Sequence, residues 1–283
     1  MPSDFRLPPT GFGPGSQLSG SEGTELSYMA MPKDMAVFTP HTPEIEDAAS
    51  VGPALALLDE VAEACRIVAV EGGSRRFGLG ALDAENRALV ADTLGEGEVS
   101  ARVRGIPAVA AQETRFAGVW VLTGARGGSG EDMVEVAAIP DAVRARAFTA
   151  LRPARGAEAP RTPAVINAPP IFAELADRSA THRAGDPPHV VNFTLLPHTE
   201  DDLRWLDAAL GEGAATILSR GYGNCRVTAT AVPHVWRVQF FNSMDTLILD
   251  TLEVTEMPEV VLAAPEDLSD SGKRLVKVLE AVR

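Results

Sequence analysis

Apolar positions recur at helical spacing from Val51 onward, with Leu58, Val61, Cys65 and Val68 falling at i, i+3, i+7 and i+10. This predicts a helix, although Arg66 to Val70 also reads as a short strand, and the Gly72-Gly73-Ser74 cluster ends the element either way. A second helical stripe, Leu203, Leu206 and Leu210, follows Thr199, and Val90 and Leu94 hold the corresponding face after Asp83. Asp83 and Thr199 are suited to N-caps, since a side-chain oxygen can accept from the orphan amides of a first helical turn. Gly95 and Gly211 stand where each helix would end. Period-two alternation then takes over. Val99, Ala101 and Val103 oppose Ser100, Arg102 and Arg104, while Cys225, Val227, Ala229 and Ala231 share one face. Trp236, Val238 and Phe240 share another, and Leu247 to Val254 gives a further strand. A helix is expected at Pro170 to Ser179, a strand at Val190 to Leu196, and a final helix from Pro265 with the stripe Leu268, Leu275, Leu279 and Val282. Gly272 weakens the middle of that last helix by about 1 kcal/mol relative to alanine.

These patterns repeat. Leu94-Gly95-Glu96-Gly97 recurs as Leu210-Gly211-Glu212-Gly213, an offset of 116 residues. The same offset carries Leu79 onto Leu195, Arg104-Gly105 onto Arg220-Gly221, Thr114 onto Thr230, and Val119-Trp120 onto Val235-Trp236. After a two-residue indel, Asp132 matches Asp250, Glu135-Val136 matches Glu253-Val254, and Pro140 matches Pro258. Two copies are too few for a solenoid, so the expectation is a duplicated domain. The fold class expected is α+β: two duplicated units, each a helix plus a meander of about three antiparallel strands, with a disordered N-terminal arm. The boundaries expected are an acidic arm at 1–50, a first unit at 51–150, a Pro-, Ala- and Arg-rich linker at 151–168, and a second unit with the C-terminal helix at 169–283.

The arm is punctuated by Pro8-Pro9 and Gly13-Pro14-Gly15 and carries seven acids against Arg6 and Lys33. Within it lies an apolar island that runs from Tyr28, Met29 and Met31 to Phe38, and flexible methionines suit adaptable contacts. The island packs on the protein's own sheet, docks a partner, or is disordered without a role.

Charge narrows the function. The 283 residues hold 39 acidic and 25 basic side chains, a formal net charge of −14. That balance argues against nucleic acid or an anionic membrane as partner. No run of about 18 apolar residues predicts a membrane span. The opening Met1-Pro2-Ser3-Asp4-Phe5 lacks a basic region followed by an apolar run, so the compartment expected is the cytoplasm. Two cysteines, Cys65 and Cys225, make neither a disulfide scaffold nor a four-ligand zinc site.

Catalytic motifs are missing from the sequence. There is no G-x-x-x-x-G-K-[ST] and no G-x-S-x-G elbow, and Gly78-Leu79-Gly80 is followed by Asp83 where a dinucleotide fingerprint needs its third glycine. The glycine-rich run Gly124 to Gly130 lies between two strand-like segments and reads as a hairpin. The histidines His41, His182, His189, His198 and His234 form no H-E-x-x-H pair. Glu96 and Glu212 fall at equivalent helix-end loops, a surface placement unsuited to a paired acid and base. Neither catalytic residues, nor a resident metal, nor a cofactor is expected. One segment, Arg220-Gly221-Tyr222-Gly223-Asn224-Cys225-Arg226, is dense in special residues. Tyr222, Asn224 and Cys225, with His234 and Trp236 downstream, are candidate partner contacts together with Tyr28, Met29 and Met31 of the arm. A tight connection with Tyr222 and Cys225 packed inward is the alternative.

Long segments carry a family resemblance: Leu94-Gly95-Glu96-Gly97-Glu98-Val99-Ser100; Arg220 to Arg226 followed by His234-Val235-Trp236; and Pro258 to Leu268 running into Asp270-Ser271. With Tyr28-Met29-Ala30-Met31-Pro32 of the arm, the chain resembles the HupH/HyaF/HoxQ hydrogenase-expression family over nearly its whole length. The resemblance implies a non-catalytic cytoplasmic accessory chaperone for [NiFe]-hydrogenase maturation, acting on the iron–sulfur small-subunit precursor before twin-arginine export. It also implies a thioredoxin-fold partner of the HupG/HyaE type. The alternative is an iron–sulfur or metal-handling scaffold in hydrogenase assembly, using Cys225 with His234.

Overall fold

The computed structural model describes residue 43 and residues 50–124, 132–220 and 224–282. The arm with Tyr28, Met29 and Met31, the loop beyond Gly124, and Tyr222 lie outside the described residues.

The first helix, α1 (Gly52–Glu71), takes in Arg66 to Val70, so the helical reading of that segment holds. Strand β1 (Ser74–Gly78), α2 (Ala84–Leu94) and β2 (Val99–Val103) follow, then β3 (Val109–Glu113), β4 (Val119–Thr123) and β5 (Met133–Ala137). A short helix α3 (Asp141–Arg146) leads into the connector and α4 (Ala168–Thr181). The second run is β6 (His189–Asn192), α5 (Glu200–Leu210), β7 (Ala215–Ser219), β8 (Asn224–Ala229), β9 (Val235–Phe241) and β10 (Leu247–Val254), closed by α6 (Pro265–Val282). The class is therefore α+β with an antiparallel sheet, and the meanders hold four strands each rather than three. Leading strands β1 and β6 add one more strand at each edge. The expected strand at Val190 to Leu196 stops at Asn192, whose side chain caps a 3-10 turn over Phe193–Leu195.

The ten strands of the described residues belong to one sheet in the order β1-β5-β4-β3-β2-β7-β8-β9-β10-β6. The order of elements is the same on either side of the central β2–β7 pair, and so is the local bonding. Thr114 N–H donates to Val119 O at 2.9 Å, and Thr230 N–H to Val235 O at 3.1 Å. Gly97 N–H donates to Glu113 O and Gly213 N–H to Ala229 O, at 2.8 and 2.9 Å. The Trp120 and Trp236 indoles donate to Ala137 O and Thr255 O, at 3.0 and 3.2 Å.

This geometry explains the recurring Leu-Gly-Glu-Gly. Gly95 and Gly211 end α2 and α5 at φ 59° and 67°, a region that favours glycine. Beside them, a Cβ on Gly97 would fall 2.2 Å from Thr114 O, and one on Gly213 would fall 2.4 Å from Thr230 O.

Strand parity divides the core. One face of the sheet is covered by α1, α2 and α6 at one end and by α4 and α5 at the other, burying Val119, Val134 and Val136 or Val235, Leu252 and Val254. The opposite face, with Ala101, Ala111, Trp120, Ile217, Val227 and Trp236, is covered by α3 and the segment after β10. Gly272 also gains a reason: a Cβ there would lie 2.9 Å from Ala62 O, so glycine lets α6 lie close against α1.

The connector is packed against the second half. Asp202 of α5 is fully buried and accepts from the amides of Ile166, Asn167 and Ala168 at 2.8–3.0 Å on one oxygen, and from Thr199 N–H at 3.0 Å on the other. Burial opposes its ionisation, yet these amides outweigh it and hold the carboxyl down at about 2. Asp202→Asn removes charge-assisted acceptors from buried amides and is expected to lower unfolding free energy by about 1–3 kcal/mol in urea titrations near neutral pH. Because the folded value lies below the ordinary 3.8, this stabilisation is present above pH 4 and lost as pH falls towards 2; the difference between wild type and variant should shrink over that window.

Candidate functional site

Parts of three resemblance-bearing segments, Glu96 to Val99, Arg220, and Val260 to Ala263, come together at one end of the β2–β7 pair, whereas His234 to Trp236 lie at the far end of the β8–β9 hairpin. Arg220 N–H donates to Glu98 O at 3.1 Å, which joins the first segment to the second. The third segment lies across them, and Ala263 N–H donates to Ala138 O at 3.0 Å. Between them opens a cleft of about 460 Å³, lined by Glu96, Glu98, Glu113 and Asp267 along with Arg115 and Val260 to Ala263.

Glu113 gives the cleft its chemistry. It is 9% exposed, ends β3, and accepts from Gly118 N–H at 3.0 Å. Burial pushes its carboxyl up to about 7; the Gly118 bond offsets part of this, and the neighbouring charges of Asp267 and Glu98 add to it. A cation entering the cleft would reverse that balance, because opposite charge favours the ionised form. Once ionised, Glu113, Glu98 and Asp267 would attract a guanidinium or ammonium group.

The second half lacks this cleft. The 116-residue offset carries Glu98 onto Ala214 and Glu113 onto Ala229. There the chain after α3 closes over the strand: Ala147 O accepts from Ala214 N–H at 2.7 Å, and Ala147 is buried. Phe148 then stacks edge-on against Trp236 at 5.0 Å between ring centroids. The same framework is filled in one half and left open and acidic in the other. Sequence reading missed Glu98, Glu113 and Asp267 as a site. The available signal was the mismatch of acid against alanine at two aligned positions.

The residues singled out from sequence are placed apart. Asn224 begins β8 and donates to Asp245 at 3.1 Å. Cys225 is buried opposite Phe240, and burial, with the Glu253 charge adding to it, pushes its thiol up to about 11, so it is a protonated thiol near neutral pH. Trp236 is fully buried. His234 occupies the β8–β9 turn at φ 61°, with its ring 4.7 Å from that of His182. Burial and then the His182 charge hold its pKa below the ordinary imidazole value, against an opposing pull from Glu256. Cys225 and His234 lie at opposite ends of the β8–β9 hairpin, roughly 15 Å apart along the strands, and do not form a joint ligand pair. Among the described residues, no group of three or more His, Cys, Asp or Glu side chains could hold a metal ion. No described helix is long and apolar enough to cross a membrane.

Comparison with known proteins gives a consistent result. A family model described as HupH hydrogenase expression protein, C-terminal conserved region, matches residues 51–150 and 165–282. The chain is 57% identical over 286 residues to the hydrogenase expression/formation protein HupH of Rhodobacter capsulatus, covering 100% of both chains. It is 45% identical to the hydrogenase expression/formation protein HoxQ of Cupriavidus necator over 99% of both, and 35% identical to the hydrogenase-1 operon protein HyaF of Escherichia coli over 70% of both.

Glu113→Gln keeps an acceptor for Gly118 N–H but cannot ionise. In the wild type the folded-state value near 7 lies above the ordinary 4.5, so stability falls as pH rises between those values and stays low above them. The variant should lose that slope and gain up to about 3 kcal/mol relative to wild type between pH 5 and pH 8, read by thermal or urea unfolding at both pH values.

Proposed function

Because this chain belongs to the HupH hydrogenase expression family, we propose that it is a non-catalytic accessory chaperone for the iron–sulfur small subunit of a [NiFe]-hydrogenase, engaging the precursor before twin-arginine export. Its role lies in hydrogenase maturation, and its partners are hydrogenase-related proteins. The acidic cleft is the observation that carries the finer reading. A twin-arginine signal presents adjacent guanidinium groups, and Glu113, Glu98 and Asp267 offer converging carboxylates with one of them buried. The net charge of −14 adds long-range attraction for a basic segment. The two halves read as copies of one unit, of which the first keeps the binding cleft and the second is closed for stability. A thioredoxin-fold partner and a cytoplasmic setting belong to the same reading.

The scaffold alternative has less support. The Cys225 thiol is buried and protonated, and thiolate is the form that binds metal.

The test is co-purification of the full chain with the small-subunit precursor, with and without its signal peptide, at low and high salt. Binding should need the signal, weaken with salt, and fall at least tenfold with Glu98→Gln/Asp267→Asn. It should also tighten from pH 6 to pH 8, since the cation is held by ionised Glu113. Binding indifferent to the signal and to these substitutions would overturn the reading.

A further inference from the structure

The opposite face of the sheet carries a second feature, whose lining shares only Glu96 with the acidic cleft. Across β3, β2, β7 and β8 the side chains on this face lie between α2 and α5 with no described helix above them. At the centre is a depression of about 580 Å³ lined by Arg102, Arg104, Arg220 and Arg226, with Glu212 as its one acid. Arg104 pairs with Glu212 at 2.5 Å, whereas no described carboxylate forms an ion pair with Arg102, Arg220 or Arg226. Uncompensated arginines are notable on a chain of net charge −14.

The depression continues at both ends. Through Ser100 and Arg102 it opens into a pocket of about 460 Å³ beside α2, with Leu94, Ala110 and Val121 in its wall. Through Arg226 and Thr228 it opens into one of about 420 Å³ beneath α5, with Phe193, Leu206 and Leu252 in its wall. The result is one trough across the central strands, basic in the middle and mainly apolar at the α2 end, while the α5 end mixes Phe193, Leu206 and Leu252 with Arg152, Asp207, Glu212 and Arg237. Leu218, 36% exposed, sits in its floor beside Arg226.

We propose that this trough binds a segment of a protein partner in which acidic side chains are flanked by apolar ones. Charge complementarity selects the acid. Arg102 and Arg226 stand two strands apart and two residues out of register, roughly 12 Å, so they engage two separate carboxylates rather than one small anion. The apolar walls, Leu94, Ala110 and Val121 at one end and Phe193, Leu206 and Leu252 at the other, select flanking hydrophobic side chains, which inorganic anions lack. Nucleic acid is disfavoured because a polyanion leaving the trough meets an acidic surface.

The probe is a fluorescein-labelled 14-residue peptide with four central glutamates between leucine-rich flanks, titrated against the full chain by anisotropy. Saturable, salt-weakened binding is expected, with amide shift changes by NMR confined to residues 100–102, 110–112, 216–220 and 224–228. Arg102→Glu/Arg226→Glu should weaken binding at least tenfold, and Arg102→Gln/Arg226→Gln should weaken it in the same direction with unchanged thermal unfolding. Lys273→Glu/Lys277→Glu on α6, away from the trough, should change it less than twofold. Absence of saturable binding, equal weakening by the α6 reversal, or shifts elsewhere would overturn the proposal. So would oligodeoxythymidine of matched charge binding the same residues as tightly, or inorganic phosphate displacing the peptide at low millimolar concentration. None of these results depends on whether the acidic cleft binds a signal peptide.

Discussion

The pairing of β2 with β7 is the contact on which the rest of the molecule depends. Its register sets Ala101 opposite Ile217, Val99 opposite Ser219 and Val103 opposite Ala215. The 116-residue offset maps this set of pairs onto itself, as at an isologous dimer interface held within one chain. Two five-stranded halves thereby hide an edge each and become one ten-stranded sheet. The pairing also merges the lower faces of both halves into a single core, with Trp120 and Trp236 buried on either side of the junction.

A symmetric frame generates equivalent places, and the chain uses them differently. The segment after β5 folds as α3 and returns to seal the second half through Ala147. The segment after β10 makes a short 3-10 turn and runs into α6, so Val260 to Ala263 line a cleft over the first half instead of filling it. A cavity with a buried carboxylate is costly to keep, and Glu113 shows the cost in its raised pKa. Stability alone would favour the alanines found at the matching positions.

Charge is segregated by the sheet. Carboxylates of the cleft stand at one end of the central pair on the face that carries the tryptophans, and uncompensated arginines stand on the other face. The separation follows from strand parity, since Val99 and Glu113 point one way and Arg102 and Arg226 the other.

Much of this was written in the sequence. Helical stripes, the caps at Asp83 and Thr199, and strand alternation are local properties, fixed by 3.6- and 2-residue periods, and the structure keeps them. The segments that carry the family resemblance were legible as well, and glycines recur at Gly95, Gly97, Gly211 and Gly213, where a positive φ or a close backbone approach requires them. Strands β1 and β6 were missed or overrun because five or fewer residues bounded by turns carry little periodic signal. What only the tertiary structure decided was which distant residues share a site. Glu98, Glu113 and Asp267 meet through strand order and through the path of the chain after β10, which no spacing along the sequence records. Cys225 and Trp236, conspicuous as residue types, lie in the core because parity on β8 and β9 turns them inward. Local periods set what each segment is; long-range pairing sets which side chains are left facing one another.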